Sequence, residues 1–194
     1  MEIKVFKNKK DLGMEAAKKA AEILNNAVKT NGNAVFIAAT GASQFEFLSA
    51  LVKSRVNWIN TTMFHLDEYI GIPATHPASF RRYLRERLID KVNPGETFLI
   101  NGDAGNIEEE RKRLDRTISK YKVDVAFVGI GENGHLAFND PPADFNTEEP
   151  YIVVNLDEKC RKQQMGEGWF KEFSDIPQKA ISMSIKQIMK SENI

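Results

Sequence analysis

Ala34-Val-Phe-Ile-Ala-Ala39, running at once into Thr40-Gly-Ala-Ser43, is the stretch on which the fold reading turns. Its first six residues are apolar throughout, as expected of a β-strand covered on both faces. The turn that follows leads directly into a second amphipathic segment, residues 45–52. A buried strand, a short polar turn and a helix in immediate succession indicate an α/β layer structure.

The neighbouring segments extend the same alternation. Upstream, residues 3–6 read as an edge strand. Asp11 then reads as the N-cap of a helix whose stripe is Ala16, Ala20, Ile23, Leu24, Ala27 and Val28, closed by Gly32. Downstream, residues 61–66 form the next strand, and Pro77 falls in the first turn of a helix carrying Phe80, Leu84 and Leu88 at i, i+4 spacing. Residues 97–100 make a short strand, 106–120 a charged helix and 123–128 another strand of the buried kind. Residues 151–154 and 180–183 supply two more, and a short helical pattern around Ile185, Ile188 and Met189 follows. Alternation of this kind predicts a mainly parallel sheet with helices on both faces. Residues 139–150 contain three prolines and little periodicity, and read as a long loop of the sort that often carries function.

Composition narrows the function classes. At 194 residues the chain is a single domain of comfortable size. Lys+Arg and Asp+Glu each number 27, so no global field steers it toward nucleic acid or a membrane, and any anion site must be built locally. The one cysteine, Cys160, excludes an intramolecular disulfide and argues against a zinc site. The N-terminus lacks the apolar core of a signal peptide, and no apolar run approaches membrane-spanning length, so the cytoplasm is the simplest location.

In an open parallel sheet, ligands bind at the carboxyl ends of the strands. Three such ends carry unusual polar sequences. Thr40-Gly-Ala-Ser43 offers backbone N–H groups, two hydroxyls and a glycine, which suits a phosphate; a plain turn with Ser43 as N-cap is an equal reading of that segment alone. Leu66-Asp-Glu-Tyr-Ile-Gly71 places adjacent carboxylates, Asp67 and Glu68, among apolar neighbours, where one pKa rises toward that of a general base. The bland alternative is an exposed acidic turn. Gly129-Ile-Gly-Glu-Asn-Gly-His-Leu-Ala-Phe-Asn-Asp140 holds an imidazole in a glycine-constrained loop, with a carboxylate five residues on that can fix its tautomer. The glycine spacing does not match a dinucleotide-binding turn, and no Gly-x-Ser-x-Gly elbow supports a serine nucleophile.

Together, in this order and separation, Thr40-Gly-Ala-Ser43, Asp67-Glu-Tyr-Ile-Gly71 and Gly131-Glu-Asn-Gly-His-Leu-Ala-Phe-Asn-Asp140 resemble the glucosamine-6-phosphate deaminase/isomerase family, whose superfamily includes 6-phosphogluconolactonase. The resemblance runs through essentially the whole chain and implies a three-layer, Rossmann-like α/β fold. It implies that Asp67 removes the C2 proton of an open-chain amino sugar phosphate. His135, with Asn133 and Asp140, would assist ring opening. Thr40, Gly41, Ala42 and Ser43 would hold the phosphate, with Glu68, Gly134, Arg161 and Gln164 completing the substrate contacts. The implied reaction is isomerisation with loss of ammonia, needing no metal or organic cofactor. The implied partner is a small phosphorylated sugar, not nucleic acid or membrane; a homo-oligomer is compatible with it.

Several positions depart from the family pattern. Asn133 stands where the deaminases have Asp, which removes a charge that would stabilise a protonated imidazole. Asp140 replaces Glu, and Gln164 replaces an arginine directed at the phosphate, with Arg161 or Lys162 one helical turn earlier as substitutes. The family's further strand, helix and strand, with a phosphate-binding lysine, is expected after Ile194. A lactonase acting on a phosphorylated sugar acid is the competing enzyme reading. A non-catalytic sugar-phosphate-binding module is the competing non-enzyme reading.

Overall fold

The computed structural model describes residues 2–131, 133–166 and 168–194; of Gln163 only the backbone is described. Glu132 of the glycine-rich motif and Glu167 lie outside the described residues. The strands are β1 (Ala34–Ala38), β2 (Thr61–His65), β3 (Asp67–Tyr69), β4 (Glu96–Phe98), β5 (Val125–Ala126), β6 (Tyr151–Asn155) and β7 (Lys179–Met183). The helices are α1 (Lys9–Asn31), α2 (Phe45–Leu51), α3 (Phe80–Leu84), α4 (Asp90–Val92), α5 (Ile107–Ile118), α6 (Glu158–Gly166) and α7 (Ile185–Met189). A π-type segment, Arg85–Ile89, joins α3 to α4.

β1 organises the molecule. It pairs in parallel with β2 on one side and β5 on the other, and β4 extends the sheet beyond β2, giving the order β4-β2-β1-β5. Its alternate residues enter two different cores. Ala34, Phe36 and Ala38 pack with α1, α2 and α3, against Leu24, Leu48 and Leu84. Val35 and Ile37 pack on the opposite side with Leu114 and Ile118 of α5 and Ile188 of α7. The expected three-layer architecture follows from this double coverage.

A second sheet departs from the parallel rule. β3, β7 and β6 form an antiparallel triplet in which Asp67 pairs with Ser182 and Tyr69 with Ala180. β2 therefore ends at His65, and the chain changes sheets before Asp67. This small sheet covers a third apolar cluster, built on Tyr69, Phe138, Phe170 and Ile176.

Local details correct the sequence reading in several places. Residues 3–6 form no strand: they pair with no neighbour, and Ile3 and Val5 stand exposed, so apolar alternation alone did not suffice. The cap of α1 is Asn8, whose side chain accepts from the Asp11 N–H at 2.9 Å. The buried stripe runs through Gly13, Ala17, Ala20, Leu24 and Ala27; Ala16 faces solvent. Gly32 closes the helix at φ 80°, in the left-handed region that favours glycine. Pro77 precedes α3 and does not sit in its first turn; Ser79 is the cap. β5 keeps only two residues of the expected 123–128 strand. Residues 139–150 are irregular, as expected.

Candidate active site

The three strand-end sequences converge on one cavity of about 770 Å³, open mouth included. Thr40 to Ser43 follow β1, Asp67 follows β2, and Gly129, Gly131 and His135 come from the loop after β5; all line its wall, together with Gln164 of α6. Phe80 and Phe138 line it too, their rings stacked with centroids 5.7 Å apart. The 40–43 turn is held from α3: the Tyr83 hydroxyl donates to the Gly41 carbonyl at 2.9 Å.

The two adjacent carboxylates serve different purposes. In a strand, successive side chains leave on opposite faces. Asp67 faces the cavity and is 6% exposed. Burial, then the neighbouring Glu68 charge, raises its pKa to about 8. Glu68 does not line the cavity. Its carboxylate accepts from the backbone N–H groups of Tyr69, Phe80 and Arg81, from the Ser79 hydroxyl, and from Arg81 Nε. Burial pushes the Glu68 pKa up while these donors pull it down. Arg81 continues the chain to Asp103 at 2.8 Å and the Ile72 carbonyl at 3.0 Å. Glu68 is thus an internal anchor fastening β3 to the start of α3, not part of the cavity surface.

His135 sits in a tight loop closed by the Gly131 N–H donating to the His135 carbonyl at 2.9 Å. Its ring lies directly against Gly131: a Cβ there would fall 2.2 Å from the His135 Cε1. Any side chain at that position would have to displace the ring. His135 Nδ1 lies 2.5 Å from Asn133 Oδ1 and 3.1 Å from Asp140 Oδ1, while Asn133 Nδ2 donates to that same Asp140 oxygen at 3.1 Å. Two acceptors at Nδ1 favour a proton on that nitrogen, which turns Nε2 toward proton exchange with a ligand. Asn139 Nδ2 donates to the Met183 carbonyl of β7 at 2.9 Å, tying the loop's far end to the second sheet, and to the Leu136 carbonyl within the loop at 2.8 Å.

The remaining sequence candidates divide. Gln164 is buried at the cavity wall and accepts from the Tyr69 hydroxyl at 2.6 Å. Arg161 does not reach the cavity: it donates to the Phe173 and Ile176 carbonyls, its guanidinium 4.2 Å from the Phe173 ring centre. Gly134, at φ 84°, shapes the loop without lining the cavity. Cys160 is buried, and burial followed by the nearby Asp140 charge pushes its thiol pKa well up, which suits packing and not nucleophilic attack. Sequence reasoning quoted Tyr69 and Gly131 within their motifs without giving either a contact of its own, and it missed Tyr83 altogether; the close approach of the His135 ring to Gly131 is the contact behind the glycine constraint read in the sequence. Among the described residues, no group of three His, Cys, Asp or Glu side chains is placed to hold a metal ion, and no helix is long and apolar enough to cross a membrane.

Comparison with known proteins places these features in context. The family model described as glucosamine-6-phosphate isomerases/6-phosphogluconolactonase matches residues 7–194. A glucosamine-6-phosphate deaminase of Lactococcus lactis subsp. cremoris is 36% identical over 196 residues, covering 100% of this chain and 79% of that protein. One from Latilactobacillus sakei subsp. sakei is 37% identical over 183 residues, covering 93% and 75%. Among solved structures, a monomeric glucosamine-6-phosphate deaminase superposes with a TM-score of 0.88 at 26% identity, covering 98% of this chain and 79% of that one. A 6-phosphogluconolactonase from Shewanella baltica has a TM-score of 0.78 at 20% identity, covering 96% and 76%, and shares the fold.

Proposed function

Because the chain belongs to the glucosamine-6-phosphate isomerase/6-phosphogluconolactonase family, we propose that it is a deaminase/isomerase acting on glucosamine-6-phosphate. The observation that carries this reading is the meeting of Asp67 and His135, from two different strand ends, in one cavity with the 40–43 turn.

The chemistry follows from the two side chains. The substrate's ring opens when a proton leaves the anomeric hydroxyl and another reaches the ring oxygen. His135 Nε2, with Nδ1–H fixed by Asn133 and Asp140, is suited to move that proton. Asp67, as carboxylate, then takes the C2 proton of the open-chain aldehyde, and the electron pair moves through C1 onto the carbonyl oxygen, which picks up a proton to give a C1–C2 enolamine. Return of the proton at C1 gives the C2 iminium. Addition of water there and departure of ammonia leave fructose-6-phosphate, so one water is consumed for each ammonia released. Burial serves this step, because a carboxylate poorly solvated by water is a stronger base toward carbon. The hydroxyls of Thr40 and Ser43 supply donors for the phosphate.

Hydrolysis of a phosphorylated lactone would need the imidazole to activate water but gives no work to a buried carboxylate with a pKa near 8. That difference favours the deaminase. Incubation with glucosamine-6-phosphate is expected to release ammonia and fructose-6-phosphate in equal amounts. Hydrolysis of 6-phosphogluconolactone without ammonia release from the amino sugar would reverse the assignment.

A further inference from the structure

A second groove, of about 930 Å³ with its open mouth included, lies at the β4 edge of the four-stranded sheet and shares no lining residue with the cavity described above. Three arginines from different elements meet in it: Arg81 of α3, Arg85 at the start of the π-type segment, and Arg113 of α5. Thr97 in β4 and Asn101 just beyond it add a hydroxyl and an amide, and no carboxylate is among the described lining residues. The chain as a whole carries no net charge, so this concentration of cations is local. The last residues of the chain run beside β5, at the opposite edge of the sheet.

Two of these side chains are fixed in place. Arg81 is buried; its Nε meets Glu68, and its two Nη groups donate to Asp103 and the Ile72 carbonyl. Arg113 grips Glu110 through Nε and Nη2, each at 2.7 Å, and Nη2 also donates to the Leu99 carbonyl at 2.9 Å. Glu110 in turn accepts the Asn101 N–H at 2.8 Å, so the same pair holds the end of β4. Glu68, Asp103 and Glu110 balance Arg81 and Arg113 without lining the groove. Arg85 differs. It is exposed, and among the described residues its side chain makes no hydrogen bond or ion pair. Its neighbours are engaged, Arg82 with Glu86 and Arg87 over the Phe45 and Tyr83 rings. A third guanidinium beside two fixed ones adds like-charge repulsion, which an anion in the groove would relieve.

We propose that this arginine groove is a second ligand site, taking a small, multiply charged oxyanion of the phosphate or polycarboxylate kind. Arg81 and Arg113 form its preorganised floor, and Arg85 supplies the uncommitted charge. The planar guanidinium fork matches such oxyanions two bonds at a time, which a lysine ammonium does not. Arg85 also opens the turn where the helix passes from α to π geometry, a departure that often marks functional positions. The site stands independently of the sugar-phosphate reading of the first cavity. A purely structural Arg85 would have no effect on anion binding, because it fastens nothing within the fold.

The test is a heteronuclear NMR titration of the full chain with pyrophosphate and, separately, with citrate, following the backbone amides of Thr97, Leu99 and Asn101. At least one probe should shift these amides saturably, and the tighter of the two tells phosphate from polycarboxylate chemistry. Arg85→Gln, at an exposed position outside the catalytic machinery, should weaken that binding at least about tenfold through the loss of charge-assisted hydrogen bonds. Unchanged amide signals elsewhere show that the variant is folded. The amides of residues 40–43 report on the first cavity separately, so binding or its failure there leaves this result untouched. Absence of a saturable shift at 97–101 with both probes up to about 10 mM, roughly tenfold above the Kd of a weak millimolar site, would overturn the proposal. Equal binding by the wild type and Arg85→Gln would overturn it too, as would shifts reproduced by sodium chloride at matched ionic strength.

Discussion

The His135 imidazole rests on the α-carbon of Gly131, so closely that a methyl group at 131 would fall 2.2 Å from Cε1. The position of the ring is thus set by the absence of a side chain four residues earlier. Gly131→Ala must push the ring aside, and a displacement near 1 Å in a reacting group costs about 100-fold in rate. A fall in kcat/KM of that size, with a urea midpoint close to the wild type, is the expected result. Undiminished turnover by this variant would show that the ring is not where the chemistry happens.

Activity should rise with pH through about 8, where Asp67 becomes a carboxylate. Below that value the base is protonated, and kcat/KM should fall about tenfold per unit of pH. The groups acting on it are the adjacent Glu68 on β3, with Tyr151 of β6 and Cys160 of α6 also within electrostatic reach, and His135 across the cavity. Burial is the larger cause and the Glu68 charge the second, so Glu68→Gln should lower the midpoint without abolishing the shift. A rate profile flat from pH 6 to 9 would contradict the assignment.

The same raised pKa affects stability. The folded state holds the Asp67 proton up to about 8, whereas the unfolded chain releases it near the ordinary carboxylate value. Stability from this group is therefore complete below the unfolded pKa and is lost as pH rises toward 8. Asp67→Asn escapes the loss. Its melting temperature should match the wild type near pH 4 and exceed it at pH 8, by roughly 2–4 °C for each kcal/mol recovered.

Glu68→Ala should be the most destabilising single change near the cavity. It strips the acceptor from three backbone N–H groups, the Ser79 hydroxyl and the buried Arg81 guanidinium. Removing one partner of a buried ion pair costs about 3–5 kcal/mol, which urea denaturation would register. A loss under about 1 kcal/mol would place Glu68 in the class of exposed pairs, contrary to its complete burial.

Much of this architecture is legible in the residues themselves. The uninterrupted apolar run of β1 announces two covered faces, and both cores are found. The three polar strand ends announce their own convergence, because strands of one parallel sheet end on one edge. What escapes is set by contacts remote in sequence. That 67–69 joins an antiparallel sheet depends on Ala180–Ser182, more than a hundred residues away, and nothing local in Asp-Glu-Tyr signals it. The separate uses of Asp67 and Glu68 follow from strand alternation once that pairing is known. Arg161 and Gln164 lie one helical turn apart, and whether either reaches the cavity depends on the Phe173 and Ile176 carbonyls that capture Arg161. Residues 3–6 alternate as a strand should, yet pairing needs a free sheet edge to meet them, and they have no strand neighbour.

The central claim is that Asp67 is the base that takes a proton from carbon in an amino sugar phosphate. The most direct measurement is ammonia release from glucosamine-6-phosphate at pH 8 by the wild type and by Asp67→Asn, which keeps shape and removes the base. The account predicts steady release by the wild type and a loss of at least about 1,000-fold in the variant, with ligand binding retained. Equal rates for the two proteins would contradict it.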